Sequence, residues 1–139
     1  MDFEYFLGIP EIDAQHDEIF TILNTLLEAL ASKKQRHLVG PLLQQLRNKL
    51  LAHFANEESF MDAIDCADQA AHKIKHKEML QLLDDCIESL SSPGKAEGLG
   101  KIIDENLHSH VVEFDGKIVE TVKDLFDTLR THESSDKSR

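Results

Sequence analysis

The sequence predicts an all-α protein: an up-down-up-down antiparallel four-helix bundle with an N-terminal arm. Three observations predict it. Apolar residues recur in steps of three and four between the breaks, which puts each set on one helical face. No segment sustains the apolar–polar alternation of a half-buried strand. The breaks are few and short, and short connections make consecutive helices antiparallel neighbours.

The elements follow in order. Residues 1–12 form the arm, with Phe3, Tyr5, Phe6 and Ile9 among Gly8 and Pro10. A helix over 13–32 carries Ile19, Leu23, Leu26, Leu27 and Leu30. The patch Lys33-Lys34-Gln35-Arg36-His37 reads as a solvated loop. A second helix over 41–63 opens on Pro41, whose missing N–H is not needed in a first turn, and carries Leu42, Leu46, Leu50 and Phe54. Asp68 stands where it would cap a third helix over 69–91, with Met79, Leu80, Leu83, Ile87 and Leu90 on one face. The break Ser91-Ser92-Pro93-Gly94 leads to a fourth helix over 98–130, with Ile103, Leu107, Phe114, Ile118, Val122, Leu125 and Leu129. Residues 131–139 are polar and read as a frayed tail. The 139 residues together form a single domain with one core.

Composition narrows the function classes. The net charge is −11 and the apolar fraction 41%, which fits a soluble domain and argues against a nucleic-acid partner, since those need a basic face. No apolar run approaches a membrane span, and no leader pattern opens the chain. Cys66 and Cys86 are too few for a disulfide scaffold and read as two free thiols in the cytoplasm.

Histidine is the unusual component, at eight residues. His53 follows Leu46 and Leu50 on the inner stripe, and Glu57 stands one turn above it. His72 and His76 repeat the four-residue spacing and lead into Met79 and Leu83. His16 precedes Ile19 and Leu23 on the same face, and His110 lies between Leu107 and Phe114. Unpartnered, such groups in a core destabilise by several kcal/mol each, on the order of transfer without hydrogen bonds. A shared metal resolves this, and imidazole with carboxylate suits iron, zinc, copper, nickel or manganese. Asp115 resists the pattern, because five residues on an ideal helix leave it about 140° from His110. Either it reaches sideways to a second metal, or a π-type irregularity turns it inward. His37, His108 and His132 fall outside the set.

Taken together, Ile12-Asp13-x-Gln15-His16, His53-Phe54-x-x-Glu57-Glu58-x-x-Met61, His72-x3-His76 and His110-x4-Asp115 resemble the hemerythrin family, in particular its bacterial members. The resemblance runs from about Phe3 to Leu129. It implies a non-haem di-iron centre that binds dioxygen reversibly, for storage, delivery or sensing, and not an enzyme. His72, His76 and His110 would hold one iron, and His16 and His53 the other. Glu57 and Asp115 would bridge the pair with a solvent-derived oxo or hydroxo group, leaving one coordination position open on the two-His side. Leu107 and Val111 match the apolar lining of the family's ligand pocket. Asn106 stands where the family usually has Trp, and a wetter pocket is the expected consequence. A di-iron redox enzyme, or a redox- or nitric-oxide-responsive regulatory domain, is the alternative on the same scaffold. Whether an output domain or partner protein accompanies it stays open.

Overall fold

The computed structural model describes residues 10–66, 68–90 and 98–137. Its elements are α1 (Pro10–Ala31), a 3-10 turn (Lys33–Leu38), α2 (Val39–Ile64), α3 (Gln69–Ser89), α4 (Leu99–His110), a π-helical turn (Val111–Asp115) and α5 (Gly116–Lys137). No strand occurs among the described residues. The helices α1, α2 and α3 pack in sequence, and α4 closes the bundle by touching both α3 and α1. The architecture is the expected all-α four-helix bundle, with its fourth helix made of two α segments joined by the π turn.

The core lies where the stripes cross. Leu23, Leu26, Leu43, Leu46, Leu50, Leu83 and Ile103 are almost completely buried in one cluster. A smaller cluster of Met61, Cys66 and Ile118 lies where α2 gives way to α3. Each fully buried aliphatic side chain contributes roughly 1.5–3 kcal/mol. The surface pairs Arg47–Asp84, Lys49–Glu18 and Lys73–Asp62 add little, since exposed ion pairs contribute at most about 1 kcal/mol each.

Several local expectations change. The basic patch 33–37 is exposed but wound into a 3-10 turn. Asp68 precedes α3 but does not cap it with its side chain; its carbonyl accepts from the His72 N–H and its carboxylate pairs with Lys117. The last helix continues to Lys137, past the predicted end at 130, because residues 131–137 contain no glycine or proline to stop it. Leu125 and Leu129 are exposed rather than core. Beside Ile118 and Thr121 the chain has already turned from α2 into α3, with Cys66 at the contact. No described helix therefore stands opposite the later turns of α5. Residues 10–12, expected in the arm, instead open α1; the rest of the arm (1–9), the break at Ser91–Gly94 and the side chain of Phe114 lie outside the described residues.

Candidate metal centre

Four stretches of the bundle each place polar groups at one depth. His16 comes from α1, His53 and Glu57 from α2, His72 and His76 from α3, and His110 and Asp115 from either end of the π turn. All seven are at most 5% exposed. The α2 and α3 pairs stack because residues four apart share a helical face. His110 and Asp115 share a face for another reason. The π turn adds a residue to one turn of backbone, and that rotates Asp115 inward.

The seven form two overlapping groups, one of His72, His76, His110, Glu57 and Asp115, the other of His16, His53, Glu57 and Asp115. In each, the potential ligand atoms lie within 4.8 Å of one another. Each carboxylate turns one oxygen to each group. Glu57 Oε2 lies 3.2 Å from His53 Nε2, and its Oε1 lies 3.0 Å from His76 Nε2. Asp115 Oδ2 lies 2.9 Å from His16 Nε2, and its Oδ1 lies 2.9 Å from His72 Nε2 and 3.3 Å from His110 Nε2.

These contacts are close, yet only part of them forms a hydrogen-bond network: His76 Nε2 and Glu57 Oε1 meet with hydrogen-bond geometry at 3.0 Å. Glu57 Oε2 and both Asp115 oxygens are buried and accept no well-directed hydrogen bond, although imidazole nitrogens approach to 2.9 Å. His72 Nε2 and His110 Nε2 face each other at 3.2 Å. Glu57 Oε2 and the two Asp115 oxygens face the other imidazole nitrogens across a shared space. Buried polar groups are normally hydrogen-bonded, and lone pairs converging from imidazole and carboxylate fit a metal cation instead. The residues present therefore fit a metal pair bridged by two carboxylates.

The charge balance agrees. Burial by itself would lower the His16 and His110 pKa values, but the Asp115 and Glu57 carboxylates outweigh it and raise both to about 9. His72 is raised by the same contest. Burial would raise Glu57, and the facing imidazoles hold it well below the usual carboxylate range. Asp115 is lowered as well, against burial and the neighbouring Glu57 charge. In the metal-free chain, protons take the place of cations.

Sequence reasoning assigned no role to three residues that touch the centre. His53 Nδ1 donates to Gln15 Oε1 at 2.6 Å, and His76 Nδ1 donates to Glu58 Oε2 at 3.0 Å. Phe54 stacks flat on His76, with centroids 3.9 Å apart. The available signal was adjacency: Gln15 neighbours His16, and Glu58 neighbours Glu57.

Beside the centre lies a cavity of about 10 Å³ lined by Leu107, Val111, Phe20 and Leu50 together with His16, His53 and His110. Asn106 is not part of it. One residue before Leu107, it turns about 100° away, is exposed, and donates its amide to the Ile102 carbonyl. It lines a second groove with Lys75, Glu78 and His110. Asn106 thus lies outside the small cavity but on a groove that reaches the candidate ligand His110. His108 faces outward and pairs with Asp104, and His37 is exposed. The side chain of His132 lies outside the described residues.

A helical bundle that brings five imidazoles and two carboxylates together in its interior is a protein built around a site suited to metal. A family profile described as "Hemerythrin HHE cation binding domain" matches residues 7–132, and the chain belongs to the hemerythrin family. It is similar to a bacteriohemerythrin of Methylococcus capsulatus, 31% identical over 68% of this chain and 70% of that protein. It is also similar to one of Stenotrophomonas maltophilia, 38% identical over 51% of this chain and 46% of that protein. The matched part is thus about half the length of the second relative. No solved structure matches the chain. Among the described residues no helix is long and apolar enough to cross a membrane.

Proposed function

We propose that this chain holds two iron ions, bridged by an oxo or hydroxo group, and binds dioxygen reversibly for storage, delivery or sensing. The observation that carries the reading is the way Glu57 and Asp115 each turn one oxygen to either histidine group. That arrangement suits two cations rather than one. His72, His76 and His110 would hold one iron, and His16 and His53 the other. When bound, the irons supply the electrons that hold dioxygen.

The protein's own residues do the rest. The two-His side has fewer donors, and both its histidines line the small apolar cavity, with His110 of the other side. A cavity that size has room for nothing larger than a ligand of a few atoms. Leu107, Val111 and Phe20 offer no hydrogen bond, so a neutral diatomic is favoured there over an anion. Five neutral imidazoles against two carboxylates keep the negative charge of the donor set low. That favours binding and release over oxygen activation, and supports a binding protein rather than an enzyme. We place the protein in the cytoplasm, where the buried free thiols of Cys66 and Cys86 stay reduced.

The test is metal analysis with visible spectroscopy. About two irons per chain, and an absorption band that appears with dioxygen and disappears on its removal, are expected. Zinc in place of iron, or two irons and no reversible band, would overturn the dioxygen reading.

A further inference from the structure

The two halves of the centre are supported by different outer groups. On the three-His half, His76 donates its Nδ1–H to a carboxylate, Glu58. On the two-His half, His53 donates its Nδ1–H to a neutral amide oxygen, Gln15. In both, the acceptor is the sequence neighbour of one candidate ligand and supports a candidate ligand on the next helix. Each also fixes the tautomer, leaving Nε2 with its lone pair pointing inward.

We propose that Glu58 and Gln15 are positioning residues that make the two metals unequal, with the electron-rich one on the three-His side. This rests on the di-iron reading above. A carboxylate accepting from an imidazole draws the ring proton toward itself and makes the opposite nitrogen a stronger donor. An amide oxygen orients the ring equally well without adding charge. Glu58 is about one-third exposed, so solvent weakens its influence without removing it. Phe54, stacked on His76, holds the ring in the plane that this hydrogen bond needs. The three-His half has the larger number of imidazoles, and its His76 has a carboxylate as outer partner where His53 has an amide. The two-His half, both of whose histidines line the apolar cavity, is left the weaker-donating one, which suits release of dioxygen as a neutral molecule.

Two variants keep the hydrogen bonds and move the charge: Glu58→Gln and Gln15→Glu. In the iron-loaded full chain, Glu58→Gln is expected to raise the reduction midpoint and Gln15→Glu to lower it, with about two irons per chain in both. The double exchange is expected to return the midpoint toward the wild-type value. A readout independent of redox chemistry is proton NMR of the zinc-loaded chain. There, Glu58→Gln is expected to shift the His76 Nδ1–H resonance upfield and leave that of His53 in place. Unchanged midpoints, a shift of both variants in the same direction, or an unmoved His76 resonance would overturn the inference. A wild-type chain that binds fewer than two metals would instead overturn the di-iron reading on which it rests.

Discussion

His110 Nε2 lies 3.3 Å from Asp115 Oδ1, although five residues of ideal helix would set the two about 140° apart. The π turn Val111–Asp115 closes that gap. It makes Asp115 the second residue, with Glu57, that serves both histidine groups. Asp115→Asn keeps the side-chain shape and removes the charge. The variant is expected to hold fewer than two metals per chain by elemental analysis. In the metal-free state, its His16 and His110 pKa values are expected to fall from about 9, as followed by NMR titration. Full metal content in the variant would show that Asp115 is not shared.

Removing one histidine tests the division into halves. His16 belongs only to the two-His group, and His72 only to the other. Each Ala variant is expected to lose about one metal per chain while keeping its helical circular dichroism. Loss of both metals from His16→Ala would mean that the halves fill only together.

The metal-free chain is expected to lose stability as pH rises. His16 and His110 have folded-state values near 9 against 6.5 for the free side chain. Their contribution is complete below about pH 6.5 and is lost as pH climbs through about 9, where the folded state would have to keep protons the unfolded chain has released. Glu57 is shifted the other way, so its contribution is present above about pH 4.5 and lost on acidification. Thermal unfolding of the metal-free chain should therefore show a maximum between about pH 4.5 and 6.5. Metal binding displaces those protons, so metal affinity is expected to rise over the range in which metal-free stability falls. A metal-free melting temperature that stays flat from pH 6.5 to 9 would contradict this.

Val111 lines the cavity and is 4% exposed. Val111→Phe is expected to fill it, at about 1–3 kcal/mol of overpacking. Two metals per chain should remain while the oxygen-dependent absorption change is lost. Retention of that change would place dioxygen elsewhere.

Asp65 ends α2 in the left-handed region at φ 51°, and the next N–H, of Cys66, bonds back to the Met61 carbonyl at 2.9 Å. Glycine adopts this conformation without the side-chain clash. Asp65→Gly also removes a negative charge from a helix C-terminus, where it opposes the dipole. A gain of about 0.5–1 kcal/mol is expected in chemical denaturation.

Much of this protein was legible in the sequence, for identifiable reasons. Helical spacing put His53 above Leu50 and His76 below Met79, so burial could be read from neighbours alone. The stripe failed at Leu125 and Leu129, because periodicity says which face is apolar but not whether another helix stands opposite. Asn106, placed in the ligand pocket by its match to the family's Trp position, lies outside the small cavity and on the groove that reaches His110. The outer partners Gln15 and Glu58 went unassigned because their hydrogen bonds run between helices, over separations of 38 and 18 residues.

The sequence by itself determined the bundle, the depth of the histidines and the choice of donor types, since these follow from local period and side-chain chemistry. Tertiary structure decided how the donors divide between two positions. It also decided that each carboxylate oxygen faces a different group, and that Asp115 turns inward. Those outcomes depend on the relative rotation of four packed helices and on one widened turn, which only the assembled core determines.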